Sequence, residues 1–165
     1  MIFLKNKGML SGVIFLGFGV YFFLQQYNIQ ILQDLYSWPT LVIIIGGGFL
    51  VQGYLGKDHE AILPGVVLAG MGIHFHIANK LEMWQDFAGV FLLLVAVGIL
   101  LTYVKTGVGL MMGVLFLAAA SLLLFFDRLT NWAAENGHDI SLLSKFWPFF
   151  FIIAGGYFLF LQRKK

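Results

Sequence analysis

Long apolar runs alternate with short polar segments along the whole chain. Six runs contain roughly 17 to 20 mostly apolar residues, the length that a helix needs to cross a bilayer. They are residues 9–25, 39–56, 61–78, 87–104, 108–126 and 146–162. Two of them begin at a Trp-Pro pair, Trp38-Pro39 and Trp147-Pro148, and proline is favoured at the first position of a helix. The pattern predicts an all-α integral membrane protein with six transmembrane helices in a single transmembrane domain, residues 1–165.

Composition agrees with this prediction and excludes several classes of protein. The chain is 60% hydrophobic and only 11% charged, against about a quarter charged in soluble domains. A water-soluble globule and a disordered chain are therefore excluded, and the formal net charge of +2 excludes a nucleic-acid binder. Because there is no cysteine, disulfides, thiolate metal sites and iron–sulfur clusters are excluded as well.

Small residues recur at matching positions in the first, third and fifth runs, and each set shares one helix face. The three sets are Gly8, Gly12 and Gly19; Ala61, Gly65 and Gly72; and Gly109, Gly113 and Ala120. Such stripes let neighbouring helices approach closely in lipid. We therefore expect three similarly oriented helical hairpins, residues 8–57, 61–106 and 107–162, each packed through its own stripe. A chance match among glycine-rich membrane helices is the alternative.

Lysine and arginine are distributed unequally over the connecting segments. With a cytoplasmic N-terminus, only Lys80, Arg128 and Lys145 of the ten basic residues lie outside. The positive-inside rule then predicts that both termini are cytoplasmic. Between the spans, the spacing of apolar residues in 26–37 predicts a short interfacial helix, and residues 127–145 are predicted to form the longest loop.

Candidate chemistry is sparse. His74 and His76 cannot share a metal ion on one helix, because side chains two residues apart point about 200° apart. They are interfacial imidazoles, or metal ligands if His138 or Asp139 completes a site. Asp127-Arg128 is a hydrated helix end or a buried pair.

The polar side chains within the spans are isolated, with no base beside them to activate a nucleophile: Ser11, Thr40, Gln52, Thr102 and Ser121. Carboxylates are absent from the spans, although ion-coupled transporters and intramembrane hydrolases need them. We therefore expect no catalytic residues, no cofactor, no metal and no enzyme.

The candidate cytoplasmic contacts for a partner or lipid are Lys57, Lys105, Arg163, Lys164 and Lys165. The last three, with Lys5 and Lys7, form a predicted basic rim on the cytoplasmic side. It serves as a topology signal that attracts anionic lipid, or as a contact surface for an acidic peripheral protein.

The segment from Gly12 through Gly17 and Gly19 to Trp38-Pro39 and Gly46 resembles the LiaI–LiaF-like transmembrane region of Gram-positive envelope-stress proteins. The second and third predicted hairpins carry the same outline, so the resemblance extends over nearly the whole chain. The resemblance implies a bacterial plasma-membrane scaffold that recruits or regulates partners in the envelope-stress response, with a phage-shock-protein-A-like partner and no catalytic residues. A homo-oligomer is a further expectation. A small lipid or amphiphile transporter, with a cavity between the hairpins, is the alternative.

Overall fold

The computed structural model describes residues 3–27, 35–81 and 87–136, together with the helical residues 149, 152, 153, 155 and 156. Five α-helices and one 3-10 turn of this part have bounds: α1 Phe3–Gln26, α2 Trp38–Tyr54, the turn His59–Ala61, α3 Ile62–Leu81, α4 Phe87–Thr106 and α5 Leu110–Glu135. The predicted all-α class is confirmed. The chain divides into two compact units, residues 1–124 and 125–165. The predicted extent of the transmembrane domain and the hairpin boundaries stay predictions.

Three helical segments have the length and apolar composition needed to cross a membrane: Gly8–Gln26, His59–Ala78 and Phe87–Thr106. The segments Trp38–Tyr54 and Leu110–Phe126 are shorter apolar helices. With 17 residues, α2 is at the lower end of the spanning range. Except for its five helical residues, the predicted sixth span, 146–162, lies outside the described residues.

Helix ends follow the local chemistry of the sequence. As predicted, α2 begins at Trp38-Pro39, and Ser37 is the residue that precedes it. After α4, Gly107 adopts a φ of 74° and its N–H donates to the carbonyl of Tyr103 at 2.7 Å. This left-handed residue ends the helix at low cost, because glycine has no Cβ.

Two members of the predicted stripes lie outside the helices. Ala61 belongs to the 3-10 turn before α3, and Gly109 precedes α5 with a φ of 103°. Gly109 accepts the hydrogen bond from the N–H of Gly113, at 2.9 Å, and so stands at the start of the helix. Gly109 is thus the residue just before the first helical residue of α5, and the helix face that it is predicted to share with Gly113 stays a prediction.

Helices α1 to α4 pack in chain order, each against the next and antiparallel to it. Gly17 of α1 lies against Ile44 of α2, and Gly48 lies against Ile14, so the residue numbers run in opposite directions. The same reversal relates α2 to α3 and α3 to α4, where Gly98 lies against Leu63. The first unit is therefore built as an up-and-down series of helices.

The small-residue stripe of α3 faces α2 and not its predicted hairpin partner α4. A Cβ atom added at Gly65 would lie 2.8 Å from the backbone nitrogen of Leu50, and one added at Gly72 would lie 2.8 Å from the carbonyl oxygen of Pro39. From α2, Gly46 meets the backbone of Ala69. The closest approach thus joins the first predicted hairpin to the second.

The stripes of the other two helices are placed differently. A Cβ atom added at Gly8, Gly12 or Gly19 would have nothing within 4 Å, so this side of α1 is open among the described residues. In α5, Gly113 lies against Leu100 of α4, and Ala120 is fully buried.

The two predicted connections are only partly described. Residues 28–34 of the predicted interfacial helix lie outside the described residues. The predicted loop 127–145 begins later than expected, because α5 continues to Glu135 and is followed by a turn at Asn136. The side-chain amide of Asn136 donates to the carbonyl of Trp132 at 2.7 Å and satisfies one of the acceptors at the helix end.

Candidate functional site

Polar side chains of the first unit collect near two ends of the α1–α4 series. The Trp38 end contains the beginning of α2 and the end of α3, whereas the Lys57 end contains the turn between α2 and α3 and the end of α4. This separation follows from the apolar composition of the helices, since polar groups avoid the middle of a bilayer.

At the Trp38 end, Thr40 and His76 join α2 to α3. The Oγ1 atom of Thr40 lies 2.9 Å from Nε2 of His76 and 2.6 Å from the carbonyl oxygen of Leu35. A hydroxyl carries one proton, which Thr40 donates to Leu35, so Nε2 of His76 donates to the hydroxyl oxygen. The expectation that Thr40 has no base beside it is wrong, because residues 36 positions apart meet in the fold.

This arrangement does not activate Thr40 as a nucleophile. Activation requires the imidazole to accept the hydroxyl proton. Here the proton of Thr40 is directed at the carbonyl of Leu35, and Nε2 of His76 is the donor. The pair therefore fixes the spacing of two helices.

Aromatic rings continue this contact across three helices. The ring of Trp38 lies 4.8 Å from that of Phe75, measured between centroids, and Phe75 lies 5.9 Å from Phe87 of α4. The indole of Trp38 remains 57% exposed. A half-covered indole at a helix end is typical of the membrane–water boundary.

The two histidines of α3 occupy different surroundings, in agreement with their predicted divergence. His74 is buried and its ring lies 5.9 Å from that of Phe75, whereas His76 pairs with Thr40. No group of three or more potential ligands could hold a metal ion among the described residues. His138 and Asp139 lie outside them, and so does the side chain of Asp127, while Arg128 is exposed.

At the Lys57 end, hydrogen bonds of the turn close the end of α2. The N–H of Asp58 donates to the carbonyl of Gln52 at 3.3 Å. The ring of His59 donates from Nδ1 to the carbonyl of Gly53, also at 3.3 Å. Lys57 adopts a left-handed φ of 58°, and its side chain is exposed. The turn therefore presents one lysine to the solvent at a sterically unusual position.

The second lysine of this end is in contact with α2. The Nζ atom of Lys105 lies 5.5 Å from the ring centroid of Tyr54, within the range of a cation–π interaction. The exposed carboxylates of Asp58 and Glu60 lie in the same turn as Lys57. Two positive and two negative charges thus balance over the described loops of this end. The other basic residues of the predicted rim are Lys5 and Lys7, at the start of α1, and Arg163, Lys164 and Lys165, which lie outside the described residues.

Gln52 is a buried polar side chain, which the sequence did not set apart from the other polar residues of the spans. Only 4% of its surface is exposed, and its Oε1 atom has no hydrogen-bond partner among the described residues. It lies beneath the turn, since a Cβ atom added at Gly56 would be 3.1 Å from that oxygen. An unpaired buried acceptor is costly, so this amide is a weak point of the helix packing.

Family comparison bears on the first two helices. The family model of the LiaI-LiaF-like transmembrane region matches residues 9–50, which cover most of α1 and α2. Residues 9–50 are similar to a LiaI-LiaF-like transmembrane region. The predicted resemblance is therefore confirmed for this segment.

A relative that matches the chain over nearly its full length is also described as a membrane protein. The chain is 27% identical over 166 residues to the uncharacterized membrane protein YsxD of Bacillus subtilis (strain 168), and the match covers 98% of each chain. The similarity to YsxD extends over nearly the full length, whereas the family model matches residues 9–50. No solved structure matches the chain.

Proposed function

We propose that the protein is a non-enzymatic scaffold of a bacterial plasma membrane, with both termini in the cytoplasm, that recruits or regulates partner proteins in the envelope-stress response. The observation that carries the proposal is the LiaI-LiaF-like match over residues 9–50. Nothing in the two similarities points to an enzyme.

The helix packing supports a structural role. Gly46, Gly65 and Gly72 bring α2 and α3 together backbone to backbone, which leaves little freedom for the two helices to move apart. A rigid series of helices is suited to holding its connecting loops at fixed positions. The paired Thr40 and His76 add a directional contact at the Trp38 end.

The basic rim is the proposed contact surface for an acidic peripheral protein, with a phage-shock-protein-A-like protein as the candidate. Because Lys57 and Lys105 are balanced by Asp58 and Glu60, the C-terminal residues 163–165, together with Lys5 and Lys7, supply the attraction in this proposal. An acidic partner then loses more binding when residues 163–165 are neutralised than when Lys57 is.

A pull-down from native membranes in mild detergent tests the proposal. The full-length protein is expected to bring down a soluble protein or a membrane complex. Alanine at Arg163, Lys164 and Lys165 together should weaken that capture. Lys57→Asn is the matched control, because asparagine tolerates a left-handed φ and removes one charge. Recovery of the protein alone from its native membrane would contradict the scaffold role.

The alternative function is transport of a lipid or amphiphile through a cavity between hairpins. The boundary between the first and second hairpins is closed in the described part, since a Cβ atom at Gly46 would meet the backbone of Ala69. Movement of labelled lipid between leaflets by the pure reconstituted protein would favour transport and overturn the scaffold proposal.

A further inference from the structure

A groove lies between α1 and α2 at the Trp38 end, and Thr40 contributes to its lining. Its volume is about 330 Å³, and Leu16, Val20 and Leu24 of α1 form one wall. Ile44 of α2 and Tyr36 contribute to the other side. The groove therefore lies within the first predicted hairpin and not at the boundary between hairpins.

Two contacts limit the groove along the helices. At one end, the side chain of Ile44 packs against Gly17. A Cβ atom added at Gly17 would lie 2.5 Å from Cγ2 of Ile44. At the other end, the hydroxyl of Tyr36 donates to the carbonyl of Leu24 at 2.8 Å. The helices are thus held together at both ends and leave a space between them.

The hydroxyls of Thr40 and Tyr36, which line the groove, make hydrogen bonds within the protein. Thr40 donates to the carbonyl of Leu35 and accepts from His76, and Tyr36 donates to Leu24. The remaining lining is formed by aliphatic and aromatic side chains. A ligand would therefore be recognised by its hydrocarbon and not by a polar headgroup.

The surroundings of α1 identify the occupant. Leu16 is 70% exposed and Val20 50% exposed, and both lie in the apolar span Gly8–Gln26, so the groove opens sideways toward acyl chains. From Leu16 to Leu24 the helix rises about 12 Å, close to the roughly 15 Å of hydrocarbon in one leaflet. An empty space there would forfeit dispersion contacts that a chain supplies.

We propose that this groove holds one acyl chain of a membrane lipid from the leaflet at the Trp38 end, selected by its chain and not by its headgroup. The site is independent of partner recruitment. It would serve an anchoring scaffold by fixing α1 to one lipid, because α2 is the main packing partner of α1 among the described residues.

Photolabelling in vesicles tests the site. The full-length protein is reconstituted in phosphatidylcholine containing a phosphatidylcholine with a diazirine in its acyl chain, and adducts are located by mass spectrometry. We expect more labelling at Leu16 and Ile44 than at Phe15, which is 76% exposed on the lipid-facing surface of α1. Val20→Trp fills the groove and should abolish labelling at those two residues, whereas Phe15→Trp should preserve it.

Three outcomes would overturn the proposal. They are no excess labelling at Leu16 and Ile44, equal effects of the two tryptophan variants, and a strong preference between phosphatidylcholine and phosphatidylglycerol probes with the same chain. Circular dichroism and gel filtration establish that the variants are folded. If Val20→Trp does not insert, Val20→Phe provides the same comparison with a smaller addition.

Discussion

Gly46→Ala is the most informative single substitution in the helix packing. A Cβ atom at this position would meet the backbone nitrogen of Ala69 and would lie 2.8 Å from its Cα atom and 2.9 Å from its Cβ atom. Ordinary contacts between carbon atoms are about 3.5–4.0 Å long. Because the obstructing atoms belong to the backbone and to a rigid methyl group, no change of rotamer relieves the overlap. The two helices must separate by about 1 Å.

The expected loss follows from two opposing contributions. Overpacking of a close contact costs about 1–3 kcal/mol, whereas replacing glycine by alanine in a helix returns up to about 1 kcal/mol. We therefore expect Gly46→Ala to lower the free energy of unfolding by about 1–2 kcal/mol. Gly47→Ala is the matched control, because a Cβ atom there has nothing within 4 Å. It should leave stability unchanged or raise it by up to about 1 kcal/mol.

Unfolding by sodium dodecyl sulfate in mixed micelles, followed by circular dichroism, measures both free energies. The two variants differ by one residue along the same helix, so the detergent, the helix propensity and the added volume are the same. An equal loss at both positions would refute the close contact between α2 and α3, and so would a neutral Gly46→Ala.

The same unfolding assay checks three further predictions. Thr40→Val and His76→Phe should each lower the free energy of unfolding by about 1 kcal/mol. Because both variants remove the hydrogen bond between these two residues, their losses should couple by about 0.5–1.5 kcal/mol in a double-mutant cycle. Additive losses would argue against that bond. Lys57→Gly should be more stable than Lys57→Ala by about 1 kcal/mol, because a φ near 58° strains alanine through its Cβ atom and does not strain glycine. A more stable alanine variant would disprove the left-handed turn. Gln52→Met should be neutral or stabilising by up to about 1 kcal/mol, since it removes an unpaired buried oxygen, and a clear loss would reveal a hydrogen-bond partner of Oε1.

Helix class and several helix ends could be predicted from the sequence because their causes are local. The absence of charges over some 17 residues predicts a membrane helix whatever its neighbours are. Trp38-Pro39 likewise specifies the start of α2 through the fixed φ of proline and its missing N–H. Such features depend on a few consecutive residues and need no knowledge of the packing.

The partner of each helix face could not be predicted in the same way. The stripe at Gly65 and Gly72 indicates that another backbone can approach α3, but it does not specify which neighbour does so. In a soluble helix the polar face would identify the buried side, whereas α3 is apolar nearly all round. The sequence therefore offered no reason to prefer the expected contact of the α3 stripe with α4 over the observed contact with α2.

The polar contacts at the Trp38 end were missed for a related reason. Thr40 and His76 belong to different apolar runs, and their meeting depends on the antiparallel register of α2 and α3. That register is set by the positions of Gly46 and Gly65 against the facing backbone, which no short motif records. A matched pair of polar residues at equivalent depths of two adjacent spans is the signal that could have suggested it.

The central structural claim is that α3 lies with its Gly65 side against α2, which closes the boundary between the first two hairpins. Cysteine cross-linking tests it most directly, since the native chain has no cysteine that would interfere. A Cβ atom at Gly65 would lie 2.8 Å from the backbone of Leu50, whereas Gly98 of α4 lies against Leu63. Oxidation in native membranes should join Leu50→Cys to Gly65→Cys, as measured by the mass after thiol alkylation. A disulfide between Gly65→Cys and Gly98→Cys, with none to Leu50→Cys, would contradict the account.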